Sequence, residues 1–188
     1  MHYNSHQVVL EGIRACEKGK DMMSSDTLVS NLEKVGWKDF APGEFLKVDF
    51  DNIGKARIAK NNWFVLLKSV PVLDMVAIET WNSTYKDFLK RARSGLFSSG
   101  KYFILILLVD TIGADALDWL SQENKLGFLE TPETITNGGG YTLMLVKDRK
   151  RVFAPRTVKL WDALRATEFT NRTNQALGDY RNSLAGSG

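Results

Sequence analysis

The chain has 188 residues, 44% hydrophobic, 25% charged and 11% aromatic, with a formal net charge of +3. A chain of this size hides roughly 70% of its extended surface on folding, so one ordinary core forms without metal or disulfide staples, and disorder and coiled coil are excluded. The lone Cys16 excludes an intramolecular disulfide and a paired-thiolate zinc site, which points to a reducing, cytoplasmic setting.

The polar start from Met1 to His6 does not read as a secretion signal. Val8, Val9, Ile13 and Cys16 recur at helical spacing, predicting a helix over residues 6–18 that stops at Gly19. A second helix is expected after a cap at Ser25 or Asp26, with Leu28, Val29, Leu32 and Val35 as its buried stripe and Gly36 closing it. Pro42-Gly43 is read as a break. Three extended segments follow, Phe45 to Phe50, Ala56 to Lys60 and Trp63 to Val70, forming a meander of two hairpins. Leu73 to Ile78 either extends the sheet or forms a crossover.

A helix is predicted over residues 83–93, capped by Asn82 or Ser83, with Tyr85, Phe88, Leu89 and Ala92 on one face and Lys86, Lys90 and Arg93 on the other. Tyr102 to Val109 is continuously apolar, the pattern of a central strand covered on both faces. It is also the longest apolar run, far below the ~20 residues that span a bilayer, so no membrane association is expected. A short helix near Ala114 to Gln122, a loop at Thr136 to Gly140, a strand at Tyr141 to Val146, a turn at Lys147 to Lys150 and a last strand at Arg151 to Phe153 complete the core. Beyond Pro155 the chain is expected to be helical to about Leu184, weakly interrupted at Gly178. The expectation is one α/β domain, a mixed sheet with helices on both faces: N-terminal helices in 1–36, a core in 45–153 and a helical segment in 156–184.

Charge is unevenly placed. Residues 41–101 hold ten Lys/Arg against six Asp/Glu and residues 147–188 hold nine against four, while residues 102–146 hold one against six. Such asymmetry steers polyanions where the basic segments meet in space. Lys86, Lys90 and Arg93 on a helix face, and the turn Lys147, Arg149, Lys150 and Arg151, are the candidate nucleic-acid contacts. No His-x-x-x-His or paired Cys supplies a zinc site, and both histidines precede residue 7, which leaves serine or cysteine nucleophiles without a base.

The order helix, three strands, helix, buried strand, with Val48-Asp49-Phe50 on the first strand and Trp63-Phe64-Val65-Leu66-Leu67-Lys68 on the third, resembles the PD-(D/E)XK nuclease-like superfamily. The resemblance implies a restriction-endonuclease-like fold in which Asp49 binds a divalent cation such as Mg2+ and Lys68 orients the attacking water. Leu66 stands where the family has its second acid, so the resemblance implies a degenerate site that contacts nucleic acid without cutting it well, unless Glu79 or Asp74 supplies a displaced carboxylate. The alternative is a protein-interaction or assembly subunit that meets its partner through the C-terminal stripe Leu160, Trp161, Leu164, Leu177 and Tyr180.

Overall fold

The computed structural model describes residues 26–58, 61–92, 101–121, 139–148, 151–153 and 163–185. One six-stranded mixed sheet runs β1 (Lys38–Phe45), β2 (Val48–Ile58), β3 (Asn61–Leu73), β4 (Tyr102–Ile112), β5 (Gly139–Val146) and β6 (Arg151–Phe153), side by side in chain order. The first three strands are antiparallel, β3, β4 and β5 are parallel, and β6 turns back antiparallel. Among the described residues four helices accompany it: α1 over residues 26–34, α2 (Met75–Ala92), α3 (Ala114–Ser121) and α4 (Ala163–Ala185).

The apolar run explains the layering. Side chains alternate across a strand, so Phe103, Leu105, Leu107 and Val109 enter one core with Ile78, Tyr85 and Phe88 of α2 and Leu120 of α3. Ile104, Ile106 and Leu108 enter the other, with Leu28 and Leu32 of α1 and Leu177 and Tyr180 of α4. Helices therefore cover both faces, as the sequence predicts. None of the described helices is long and apolar enough to cross a membrane.

Local chemistry sets the element ends. Gly36, at φ 109°, closes α1: its amide reaches Glu33 O and the Trp37 amide reaches back to Leu32 O, the paired bonds of a left-handed helix terminus. The Trp37 indole then donates to Thr173 Oγ1 at 3.0 Å, and that hydroxyl donates to Phe169 O, tying the end of α1 to α4 inside the core. The cap of α2 is Asp74, whose Oδ1 accepts from the Ala77 amide at 2.8 Å. The helix thus begins at Met75, well before the Asn82 or Ser83 cap expected from sequence, and the stretch after Leu73 is a crossover. Gly140 is required where β5 meets β4, because a Cβ there would stand 2.2 Å from Phe103 O.

The first strand departs most from expectation. Pro42 and Gly43 lie inside β1 rather than breaking the chain, and Phe45 to Phe50 is split by a turn at Leu46 and Lys47. The sheet therefore starts at Lys38 and not at residue 45, and the separate segments ending at Phe50 and starting at Ala56 join into the single strand β2. Proline is tolerated because β1 is an edge strand with one side free of ladder bonds. Leu46 and Lys47 both have positive φ, 51° and 70°, in a two-residue turn that ordinarily favours Asn-Gly. Arg91 braces it by donating to Leu46 O at 3.1 Å.

A register shift between the Ala41–Ile53 and Gly43–Phe50 pairs leaves an extra residue in β2 near Asp51. Beyond this bulge the hairpin leaves the sheet. Straight continuation would set Val48 opposite Pro71, about 23 Å along β3 from Phe64. Instead Phe45, paired with Val48, has its ring 5.2 Å from Phe64 and 5.9 Å from both Phe88 and Phe103. The tip folds over the sheet against α2.

The predicted helix over residues 6–18 lies outside the described residues, as do residues 154–162 of the C-terminal segment. Helix α4 runs unbroken through Gly178.

Burial pushes the hydroxyl pKa of Tyr85 and of Tyr141 upward, and Tyr85 also donates to Gly140 O at 2.7 Å. Unfolded, both tyrosines ionise near pH 10; folded, they keep their protons beyond it. Their contribution is therefore complete below pH 10 and declines above it, by up to about 1.4 kcal/mol per pH unit for each. The urea midpoint should fall steeply between pH 10 and 11, and Tyr85→Phe should lower stability at pH 8 but show a shallower alkaline decline. An identical decline in the variant would contradict the assignment.

Candidate functional site

The regular pairing of β2 with β3 sets an acid beside a lysine. Asn52 pairs with Leu67 and Ile53 with Leu66, so the next position of β2 toward its start, Asp51, comes opposite Lys68. Lys68 Nζ lies 3.6 Å from Asp51 Oδ1, and the Ser69 amide donates to Asp51 Oδ2 at 2.5 Å. Both side chains are about a third exposed or more, 31% and 40%, so the ion pair contributes at most ~1 kcal/mol.

Asp49, the acid matched from sequence, is on β2, the second strand rather than the first; it is exposed and forms no ion pair among the described residues. Leu66 is fully buried, facing the α2 side. Glu79 is exposed on α2, and Asp74 is occupied in capping that helix. Among the described residues no group of three or more His, Cys, Asp or Glu stands together as a metal site.

Among the described residues the expected basic contacts lie on separate elements, α2, the end of β5 and β6. Lys86 and Lys90 are exposed on α2, with Lys90 3.9 Å from Asp87. Lys147 is half-buried at the end of β5, its ammonium 2.7 Å from Asp110 Oδ1, so its charge is matched within the fold. Arg151 is exposed at the start of β6; Arg93, Arg149 and Lys150 lie outside the described residues.

A different basic cluster emerges where β1 begins. Lys38 sits directly opposite Lys55 across the β1–β2 ladder, and Arg57 lies two positions further along β2, opposite Asn62. Like charges directly opposite on a ladder destabilise it. Among the described residues none of these three cations forms an ion pair. They line a cleft of about 770 Å³ whose other lining residues include Asn62 and the half-buried Phe64 and Phe169. Asp39, at the bulge of β1, is the only carboxylate among its lining residues. Sequence reasoning missed this group because its members are separated along the chain and meet only through the register. An Arg or Lys at alternate positions, as at Lys55 and Arg57, was the one local signal.

For the partner-binding alternative, Leu177 and Tyr180 are buried against the chain's own sheet, Leu160 and Trp161 lie outside the described residues, and the Leu164 side chain is likewise not described.

The fold and its cationic cleft define a mixed α/β domain with three antiparallel strands leading into a parallel crossover. No family model, curated protein or solved structure matches the chain.

Proposed function

We propose that this chain is a nuclease-like domain that contacts nucleic acid in the cytoplasm and has lost the capacity for metal-dependent cutting. The observation that carries the reading is the Asp51–Lys68 pair at the β2 bulge, two residues along β3 from the fully buried Leu66. A lysine on β3 with a carboxylate beside it, within the order α1, three antiparallel strands, α2 and a parallel β4, supports the reading, with Asp51 of the second strand in place of the Asp49 that the resemblance sets on the first.

The donor set does not suit a hard divalent cation. Mg2+ requires several oxygens in near-octahedral array, whereas Leu66 offers none and Asp51 is committed to Lys68 and to the Ser69 amide. Binding therefore falls to cations and phosphates, a salt-dependent attraction.

Retention of labelled DNA at several salt concentrations, run beside a cleavage assay with Mg2+ and Mn2+, tests both halves. Binding should weaken linearly on a log-log plot as salt rises, with a slope near −0.9 per neutralised phosphate for duplex, and neither metal should produce cutting. Robust cutting that Asp49→Ala or Asp51→Ala abolishes would overturn the loss of activity. An absence of binding at ~20 mM salt, where screening is weak, would overturn the nucleic-acid reading and favour a protein partner.

A further inference from the structure

We infer that the cleft at the start of β1 is a binding site for an unpaired nucleotide, its phosphate held by Lys38, Lys55 and Arg57. The inference rests on the nucleic-acid reading and names the part of the surface, and the form of nucleic acid, that it uses.

The first reason is electrostatic. Lys38 and Lys55 occupy directly opposed ladder positions, with Arg57 beyond them and no ion pair to any of the three among the described residues. That arrangement works against folding and is relieved by an anion placed between the cations. Guanidinium and ammonium groups are the ordinary phosphate donors, the first bidentate and the second a point charge.

The second reason is the rest of the lining. Inorganic phosphate has no use for a ring or an amide, yet Phe64 and Asn62, the ladder partners of Lys55 and Arg57 and therefore on the same face of the sheet, also line the cleft. The Phe64 ring is held in place 5.2 Å from Phe45, while Phe169, edge-on to Trp37 at 4.7 Å, belongs to the layer on the opposite face. Cations that follow a backbone, beside aromatic groups that receive bases, are the combination found in single-strand binding surfaces. The Asn62 amide both donates and accepts, and Asp39 accepts, which suits base edges and sugar hydroxyls.

The third reason is shape. The volume of about 770 Å³ lies within the range of small-ligand pockets. A base inside a duplex is stacked and paired and cannot enter a concavity, whereas an unpaired base can.

The test measures anisotropy of a labelled 12-nucleotide single strand at 50 mM salt, with a blunt duplex of the same sequence, a free nucleoside monophosphate and inorganic phosphate as competitors. The single strand should bind more tightly than the duplex. The Lys38→Gln, Lys55→Gln, Arg57→Gln triple variant should weaken it at least tenfold and flatten the salt slope by about 0.7 for each phosphate no longer neutralised. Lys47→Gln, in the β1–β2 turn at the other end of β1 from Lys38, should leave it unchanged, and near-ultraviolet circular dichroism shows whether the triple variant is folded. A folded triple variant that binds like the wild type overturns the inference while the nucleic-acid reading stands. Direct binding of a labelled nucleoside monophosphate, with no strand binding, supports the cleft and overturns the nucleic-acid reading. Equal competition by inorganic phosphate removes the nucleotide. No binding of any probe overturns both.

Discussion

Replacing Ile106 by Asp is expected to unfold the protein. Ile106 lies in the middle of β4 with no exposed surface, between Leu67 on β3 and Leu143 on β5, and faces the core shared by α1 and α4. A carboxylate there enters a layer built almost wholly of apolar side chains. It either stays ionised at a cost of several kcal/mol or takes up a proton at a similar cost, while native domains have only about 5 to 15 kcal/mol in total. Leu107→Asp should do the same from the opposite face, where Leu107 is buried toward α2. The control is Ile106→Val, which removes one methylene and should cost about 0.5 to 1.5 kcal/mol, lowering the thermal midpoint by only a few degrees. Thermal melts of the three variants decide it; an unchanged midpoint in both Asp variants would take β4 out of the core.

Removing α4 by ending the chain at residue 162 should have the second-largest effect. Ala176, Leu177 and Tyr180 are buried to 2% exposure or less over the sheet face that carries Ile104, Ile106 and Leu108. The Trp37 indole would lose its acceptor, Thr173 Oγ1, and its cover; where α4 is kept and only the acceptor is removed, an unpaired buried donor costs about 1 to 3 kcal/mol. The shortened chain should aggregate and bind an environment-sensitive dye. Two point variants separate the contributions: Leu177→Ala should cost about 2 to 5 kcal/mol, and Thr173→Val about the cost of the stranded indole. A monomeric, equally stable shortened chain would show that α4 is an arm for another molecule, the role in which the alternative reading casts this segment.

These two expectations rest on the part of the fold most legible in the sequence. Tyr102 to Val109 announces a two-sided strand because every residue is apolar, and no tertiary knowledge is needed to see it. The stripe of α1 and its closing Gly36 were equally plain, since both signals are local. β1 was hidden because only Phe45 of its eight residues is fully buried, and Pro42-Gly43 carries the composition of a turn. The start of α2 was hidden by Asn82 and Ser83, which have capping chemistry but lie within the helix, while the true cap is a single Asp74.

The candidate site divides in the same way. Lys68 and the absence of an acid at Leu66 could be read from a short motif, but the acid beside Lys68 is Asp51, two positions from the one matched, because the β2–β3 register sets Asp51 opposite Lys68. A register between strands leaves no mark in hydropathy. The opposition of Lys38 and Lys55 depends on a pairing between strands and has no counterpart in either strand alone.

The sheet's strand order has a consequence for how the molecule comes into being. Because β1 to β6 lie side by side in the order in which they are synthesised, each strand leaving a ribosome finds its partner already made, and no later strand must be inserted between earlier ones. The first two ladders close by hairpins, which form within microseconds, whereas β4 must wait for the α2 crossover. Its apolar face is most exposed to wrong partners between its own emergence and that of β5. The finished sheet has little such liability: one margin is β1, bulged, proline-bearing and rich in charge, and the other is β6, three residues long. Among the described residues neither margin offers a flat ladder on which a second chain can grow.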